Sequence, residues 1–204
     1  MSHEVLLIFV KNPVLGKVKT RLAKTVGDEK ALSVYRHLLE HTHSVTDQLP
    51  YRRQLWYSDS IDREDRWDSG YEKKLQQGDD LGERMKNAFA EVFKQETEKG
   101  VIIGSDCPEI SVDILQHAFE ALDQYETVIG PSEDGGYYLL GMNAFYPGIF
   151  ESIEWSTDSV FADTIQKLNK LQLSYYRLPE LNDIDTYRDL LNSSIELNRK
   201  GNSE

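Results

Sequence analysis

Six consecutive apolar residues, Val5-Leu6-Leu7-Ile8-Phe9-Val10, open this chain with no polar residue alternating among them. A strand with one wet face alternates, whereas an unbroken run of this length belongs in a sheet covered on both sides. Such a sheet is mostly parallel, and its crossovers are usually helices. The remaining 198 residues repeat the theme. Apolar stretches at 53–57, 72–76, 101–104, 127–130, 137–142 and 173–178 read as strands. Amphipathic or capped stretches at 28–46, 81–97, 111–122, 158–170 and 184–198 read as helices, and 60–70 as a short helix or loop. Asp28 is the expected N-cap of the first long helix. The expectation is one α/β domain over 1–204, an α/β/α sandwich of Rossmann-like type around a mostly parallel sheet.

The first strand runs straight into an inversion of charge. The chain carries formal net charge −12, yet between Glu4 and Asp28 there is no carboxylate and there are five cations, Lys11, Lys17, Lys19, Arg21 and Lys24. Pro13 and Gly16 shape the backbone there. A basic loop at the end of a first parallel strand is where an open α/β sheet holds phosphates. Arg21 offers a planar fork that a lysine lacks. The acidic balance elsewhere argues against nucleic acid or an anionic membrane as partner. No apolar stretch approaches the roughly 20 residues of a membrane span. The single cysteine, Cys107, excludes an internal disulfide and fits a cytoplasmic protein.

Four further segments carry candidate chemistry. Gln76-Gln77-Gly78-Asp79-Asp80-Leu81-Gly82 precedes a helix; its glycines allow close backbone approach, and a glutamine amide can read a base edge. Gly104-Ser105-Asp106-Cys107-Pro108 follows the most apolar later strand, so Asp106 stands at a strand's carboxyl end. A carboxylate there suits Mg²⁺ bridging to phosphates, or simply caps the turn before Ser111. Glu133-Asp134-Gly135-Gly136 precedes Tyr137-Tyr138; Asp134 either faces a ligand or serves the turn. Asp183-Ile184-Asp185-Thr186 sets two carboxylates before the last helix, one expected to cap it and the other free to reach a metal.

Other signals exclude. Gly-x-x-x-x-Gly-Lys-Ser/Thr, Gly-x-Gly-x-x-Gly and Gly-x-Ser-x-Gly are absent, which removes the main support for P-loop, dinucleotide and α/β-hydrolase readings. His37, His41 and His43 lack the cysteine or Glu-x-x-His context of a zinc site and read as a polar helix face. Nothing in the sequence supplies Cys107 with an activating base.

Taken together, the stretch Lys11 to Ala23, the run Gly78 to Met85, Gly104 to Pro108, Gly130 to Gly141 and Asp183 to Leu190 resemble a bacterial glycosyltransferase family of the nucleotide-diphospho-sugar transferase superfamily. The loop at 11–23 is also similar to the opening loop of phospholactate guanylyltransferases. Gln77 to Gly82 resembles the base-reading segment of sugar-phosphate uridylyltransferases, although Glu83-Arg84 follow where that pattern has Thr and small residues. Asp183 to Thr186 resembles the tail motif of molybdopterin guanylyltransferases. Where many glycosyltransferases carry Asp-x-Asp, this chain has Ser105-Asp106-Cys107, and a single aspartate at this point is more typical of the nucleotidyltransferase branch.

The resemblance implies a GT-A-like fold and a transferase using a nucleotide-activated donor, a small-molecule acceptor and Mg²⁺ or Mn²⁺. Asp106 with Asp183 or Asp185 would hold the cation. Lys19 and Arg21 would act on the phosphates beside Lys11, Gly16 and Lys17, while Gln77, Gly78, Leu81 and Gly82 would seat the base and ribose. Asp134 would meet the acceptor. Glycosyl transfer from an NDP-sugar leads; nucleotidyl transfer to a phosphorylated acceptor and a catalytically inactive nucleotide binder are the alternatives.

Overall fold

The computed structural model describes residues 3–67, 70–193 and 195. Seven strands form one sheet: β1 (Glu4–Val10), β2 (Arg52–Tyr57), β3 (Tyr71–Leu75), β4 (Lys99–Ile103), β5 (Thr127–Pro131), β6 (Tyr137–Met142) and β7 (Tyr175–Arg177). Their order across the sheet is β3-β2-β1-β4-β6-β5-β7. Every neighbouring pair is parallel except those of β6, which runs antiparallel to β4 and β5. The chain length explains the exception. Only residues 132–136 join β5 to β6, enough for a tight turn but short of the dozen or so a parallel crossover needs.

The opening run behaves as its composition demands. Leu6, Ile8 and Val10 point to one face, where α2 (Asp28–Thr46) and α4 (Val112–Ala121) cover them with Val45, Leu115 and Phe119. Val5, Leu7 and Phe9 point to the other, under α3 (Leu81–Val92) and α5 (Val160–Lys170) through Met85, Phe89 and Leu168. The architecture is thus an α/β/α sandwich with a mixed, mostly parallel sheet.

Several boundaries depart from the sequence reading. A short helix, α1 (Thr20–Val26), rises inside the basic loop, where no helix is expected. Gly27, at φ 84°, both ends α1 and starts α2, so Asp28 is the first residue of α2 and not its cap. Helix α3 stops at Val92, short of 97, and a 3₁₀ turn at Pro147–Phe150 is additional. Helix α6 (Tyr187–Asn192) starts three residues later than expected. Its anticipated continuation over 194 and 196–198 lies outside the described residues.

Strand order fixes where the chemistry gathers. Loops following β1, β2, β3, β4, β5 and β7 all emerge at the carboxyl edge of the parallel strands, so every motif named above is brought to one side of the sheet. Between β1 and β4 the order reverses: β1 leads outward to β2, while β4 leads the other way. That crevice is the ligand position of open α/β sheets.

Candidate active site

Lys19 marks the crevice. It leaves the β1 loop just before α1 with φ 49° and ψ 43°, a left-handed conformation unusual for a side-chain-bearing residue. Val18 before it packs on Leu32 and Tyr35, and Leu22 after it packs on Ala31, Val34 and Leu38 of α2. Held between these anchors, the Lys19 side chain turns inward and is 4% exposed. Its Nζ donates to Asp106 Oδ1 at 2.8 Å and Asp185 Oδ1 at 3.3 Å. Burial alone would lower the lysine's pKa; the charges of Asp106 and Asp185 outweigh it, and the ammonium is held above its ordinary value.

The aspartates arrive from two distant segments. Asp106 follows β4 directly. The chain after β7 returns along the same edge, its Leu181 N–H donating to the Pro131 carbonyl and the Tyr138 hydroxyl to the Pro179 carbonyl. Ile184 then inserts between α1, α2 and α6 beside Leu22 and Leu38, and its N–H donates to the Asp106 carbonyl at 3.0 Å. Burying such a side chain is worth about 1.5–3 kcal/mol, so Ile184 pins the two aspartates that flank it. Neither is used as a helix cap. Thr186 is the N-cap of α6, in a reciprocal box with Asp189, which leaves both Asp183 and Asp185 facing the crevice.

Arg21 reaches the outer side of the cluster, with Nη1 3.3 Å from Asp185 Oδ2. Burial first, then the charge of Asp106, pushes the Asp183 carboxyl up to about 7; Lys19 opposes the shift, while Asp134 and Asp185 add to it. The group as a whole is short of positive charge. Its donors are hard carboxylate oxygens, the kind Mg²⁺ and Mn²⁺ take. Surplus negative charge and donor chemistry together fit a divalent cation. Among the described residues no three His, Cys, Asp or Glu side chains are already gathered as a ligand set.

The β1 and β4 ends are tied together by Tyr35 of α2. The fully buried Tyr35 hydroxyl accepts from Lys11 N–H at 2.8 Å, donates to the Lys11 carbonyl at 3.0 Å and lies 3.2 Å from Ser105 Oγ. Helical periodicity shows only the ring. Asn12 similarly clamps the β2 loop, its Oδ1 accepting from the Asp59 and Ser60 N–H groups.

The remaining expected residues spread along the edge. Lys11, Gly16 and Lys17 are exposed in the basic loop, Gly16 at φ 73°. Lys11 also lines a cavity of about 480 Å³ between the β1 and β2 loops and α2, with Pro13, Arg36, Glu40, Tyr57 and Trp67; the Lys19 cluster is not part of its lining. Asp134 is exposed, and its Oδ1 accepts from Ser132 Oγ at 2.6 Å and Gly136 N–H at 3.0 Å, leaving Oδ2 without a bond in the turn.

At the β3 end, Gln77 and Leu81 are exposed, while the two glycines have packing reasons of their own. A Cβ on Gly82 would fall inside the Trp155 indole, and one on Gly78 would meet Glu83 and Arg84, whose Nε donates to the Gly78 carbonyl. Burial, first, with the Asp183 charge, pushes the Cys107 thiol up to about 12, so it is protonated and unreactive at neutral pH. His41 Nε2 lies 2.9 Å from the Ile110 carbonyl, a structural contact.

Known structures share this arrangement of strands. A protein from Desulfovibrio desulfuricans G20, described as a "putative nucleotide-diphospho-sugar transferase", is 36% identical, with a TM-score of 0.88 over 93% of this chain and 85% of its own. Rv0371c from Mycobacterium tuberculosis H37Rv, in complex with manganese, is 13% identical, with a TM-score of 0.57 over 93% of this chain and 96% of its own. The 4-diphosphocytidyl-2C-methyl-D-erythritol synthase of Anaerococcus prevotii is 12% identical, with a TM-score of 0.58 over 94% of both chains. At such identities the last two speak for the fold alone. No curated protein matches the chain. Residues 41–157, more than half of the sequence and including Asp106 and Asp134, match a single family model. With its GT-A and nucleotidyltransferase-like fold, the chain belongs to the bacterial family described as "Uncharacterized protein conserved in bacteria (DUF2064)".

Proposed function

We propose that this chain is a transferase that takes a nucleotide-activated donor at the crevice between β1 and β4 and transfers the sugar of an NDP-sugar to a small-molecule acceptor. The observation that carries this reading is the pairing of buried Lys19 with Asp106 and Asp185, beside Asp183, where the strand order reverses. The 36%-identical relative, described as a "putative nucleotide-diphospho-sugar transferase", supports the same class.

In this mechanism Asp106, with Asp183 or Asp185, would hold Mg²⁺ or Mn²⁺, which would supply charge to neutralise the donor diphosphate. Lys17, Lys19 and Arg21 meet the phosphate oxygens, with Gly16 shaping their loop. Lys11 and the neighbouring cavity, together with Gln77, Gly78 and Leu81 along the β2–β3 edge, seat the nucleoside. The acceptor hydroxyl attacks the anomeric carbon and the carbon–oxygen bond to the diphosphate breaks. NDP leaves with the electron pair, and Asp134 Oδ2 takes the acceptor's proton.

A second reading, nucleotidyl transfer with release of pyrophosphate, is favoured by one specific observation. Lys11 and Lys17 make no ion pair among the described residues, so the loop holds more uncommitted cation than a diphosphate requires.

The test is thermal shift with Mg²⁺ against NDP-sugars and nucleoside triphosphates, on wild type and Asp106→Asn. A Mg²⁺-dependent rise in Tm with one NDP-sugar is expected, since a ligand that binds the native state raises Tm by mass action. Asp106→Asn should lose that rise and at least roughly a hundredfold in NDP release, as when a charge-stabilising group is removed from an active site. A shift confined to a triphosphate moves the assignment to nucleotidyl transfer. Near wild-type NDP release by Asp106→Asn would sink the site.

A further inference from the structure

Lys19 occupies the place of a cation. Its ammonium sits within 3.3 Å of one oxygen from each of Asp106 and Asp185, and its side chain is 4% exposed. The fold holds it there against the local cost of a left-handed backbone at a non-glycine residue. Buried Val18 and Leu22 on either side make this a built position rather than the resting place of a loose surface lysine. Lys11 and Lys17 of the same loop are exposed and pair with no carboxylate among the described residues.

An ammonium and a divalent ion compete for the same oxygens, and both together between Asp106 and Asp185 would repel each other strongly. Free metal must therefore displace Lys19 from both of its carboxylate partners. A diphosphate changes that balance. Its oxygens offer the ammonium a charge-assisted partner equal to the carboxylate it gives up. We infer that the site refuses a free divalent cation and takes one only as a metal–nucleotide complex, Lys19 passing from Asp106 and Asp185 to the donor's phosphates as the cation arrives. This rests on the transferase reading above. Metal and nucleotide are then positively coupled, and the coupling is reciprocal.

Manganese titration read by electron paramagnetic resonance tests this without any turnover. UDP and GDP serve as probes, with protein-free nucleotide titrations as the baseline. Wild type should bind Mn²⁺ alone at least tenfold more weakly than in the presence of the better nucleotide. Lys19→Gln should bind Mn²⁺ alone at least tenfold more tightly than wild type and gain little more from nucleotide. Lys19→Arg, which keeps the charge, should behave as wild type. Wild type binding free Mn²⁺ as tightly as the nucleotide complex overturns the inference, and this arm needs no variant to fold. Lys19→Gln that is folded but no tighter for free Mn²⁺, with nucleotide still promoting metal binding, overturns it and leaves the transferase reading standing. Failure of wild type to bind either probe with Mn²⁺ overturns both.

Discussion

At the scale of single residues, the site is a problem of charge in a tight space. Asp183 shows it best. An ordinary carboxyl ionises near 3.8, whereas burial and the neighbouring Asp106 hold this one up to about 7. Between those values the native chain keeps a proton that the unfolded chain has already released, so raising the pH through this window costs stability. Measured in chelator from pH 4 to 8, the Tm of Asp183→Asn should gain on wild type as pH rises, and the gap should level off above about 7. For a chain this size each kcal/mol of the effect is roughly 2–4 °C. Two curves separated by a constant offset would show that Asp183 does not titrate in this way. Lys19 illustrates the converse: burial alone argues against an ammonium there, and two carboxylates reverse the balance.

At the scale of elements, packing decides which glycines serve the fold. Helix α3 begins with Leu81 and Gly82, capped by Asp80, whose Oδ1 accepts from the Glu83 N–H at 2.8 Å. The Trp155 ring fills the space where a Gly82 Cβ would stand and stacks on Phe150, so the 150s loop and α3 share one apolar surface. Gly82→Ala should therefore destabilise by about 1–3 kcal/mol, as overpacking does, with nucleotide affinity in the surviving folded fraction little changed. Denaturant unfolding and nucleotide titration separate the two effects. Intact stability with lost nucleotide binding would instead make Gly82 a point of ligand approach. A comparable lock sits in the β5–β6 turn. Gly135, at φ 87°, has the Asp158 backbone against the face where a Cβ would stand, and its carbonyl accepts from the Phe161 N–H. Five residues of turn thus fix both the antiparallel strand and the position of Asp134.

At the scale of the whole molecule, a chain of net charge −12 presents a basic loop at the one edge where its strands converge. An anionic ligand is repelled by most of the surface and drawn to the crevice. Such fields act over a Debye length, about 10 Å at 0.1 M salt, and long-range steering weakens as salt rises. Nucleotide affinity should fall on the order of tenfold between roughly 0.05 and 0.5 M NaCl, with most of the loss in the association rate when followed by stopped-flow. A salt-independent association rate would remove the basic loop from the capture step.

Much of this was written in the one-dimensional pattern. Unbroken apolar runs determined a sheet covered on both faces, alternation determined that it would be mostly parallel, and strand ends determined which loops could carry chemistry. Local rules suffice there, because periodicity and turn residues act within a few positions. They also misjudged what distant contacts decide. Asp28 yielded its cap to Gly27 because the chain needed a positive φ between two helices. The capping expected of Asp183 or Asp185 went to Thr186, because Ile184 had to be buried against Leu22 and Leu38. Lys19 reads as one more solvated cation in sequence. Only tertiary packing turned it inward to meet Asp106, 87 positions later, and Asp185, 166 positions later. Local patterning established the elements and the edge on which the candidate groups lie. Which of those groups touch was left to the tertiary structure, since burial and charge at one point are summed over segments that no local pattern connects.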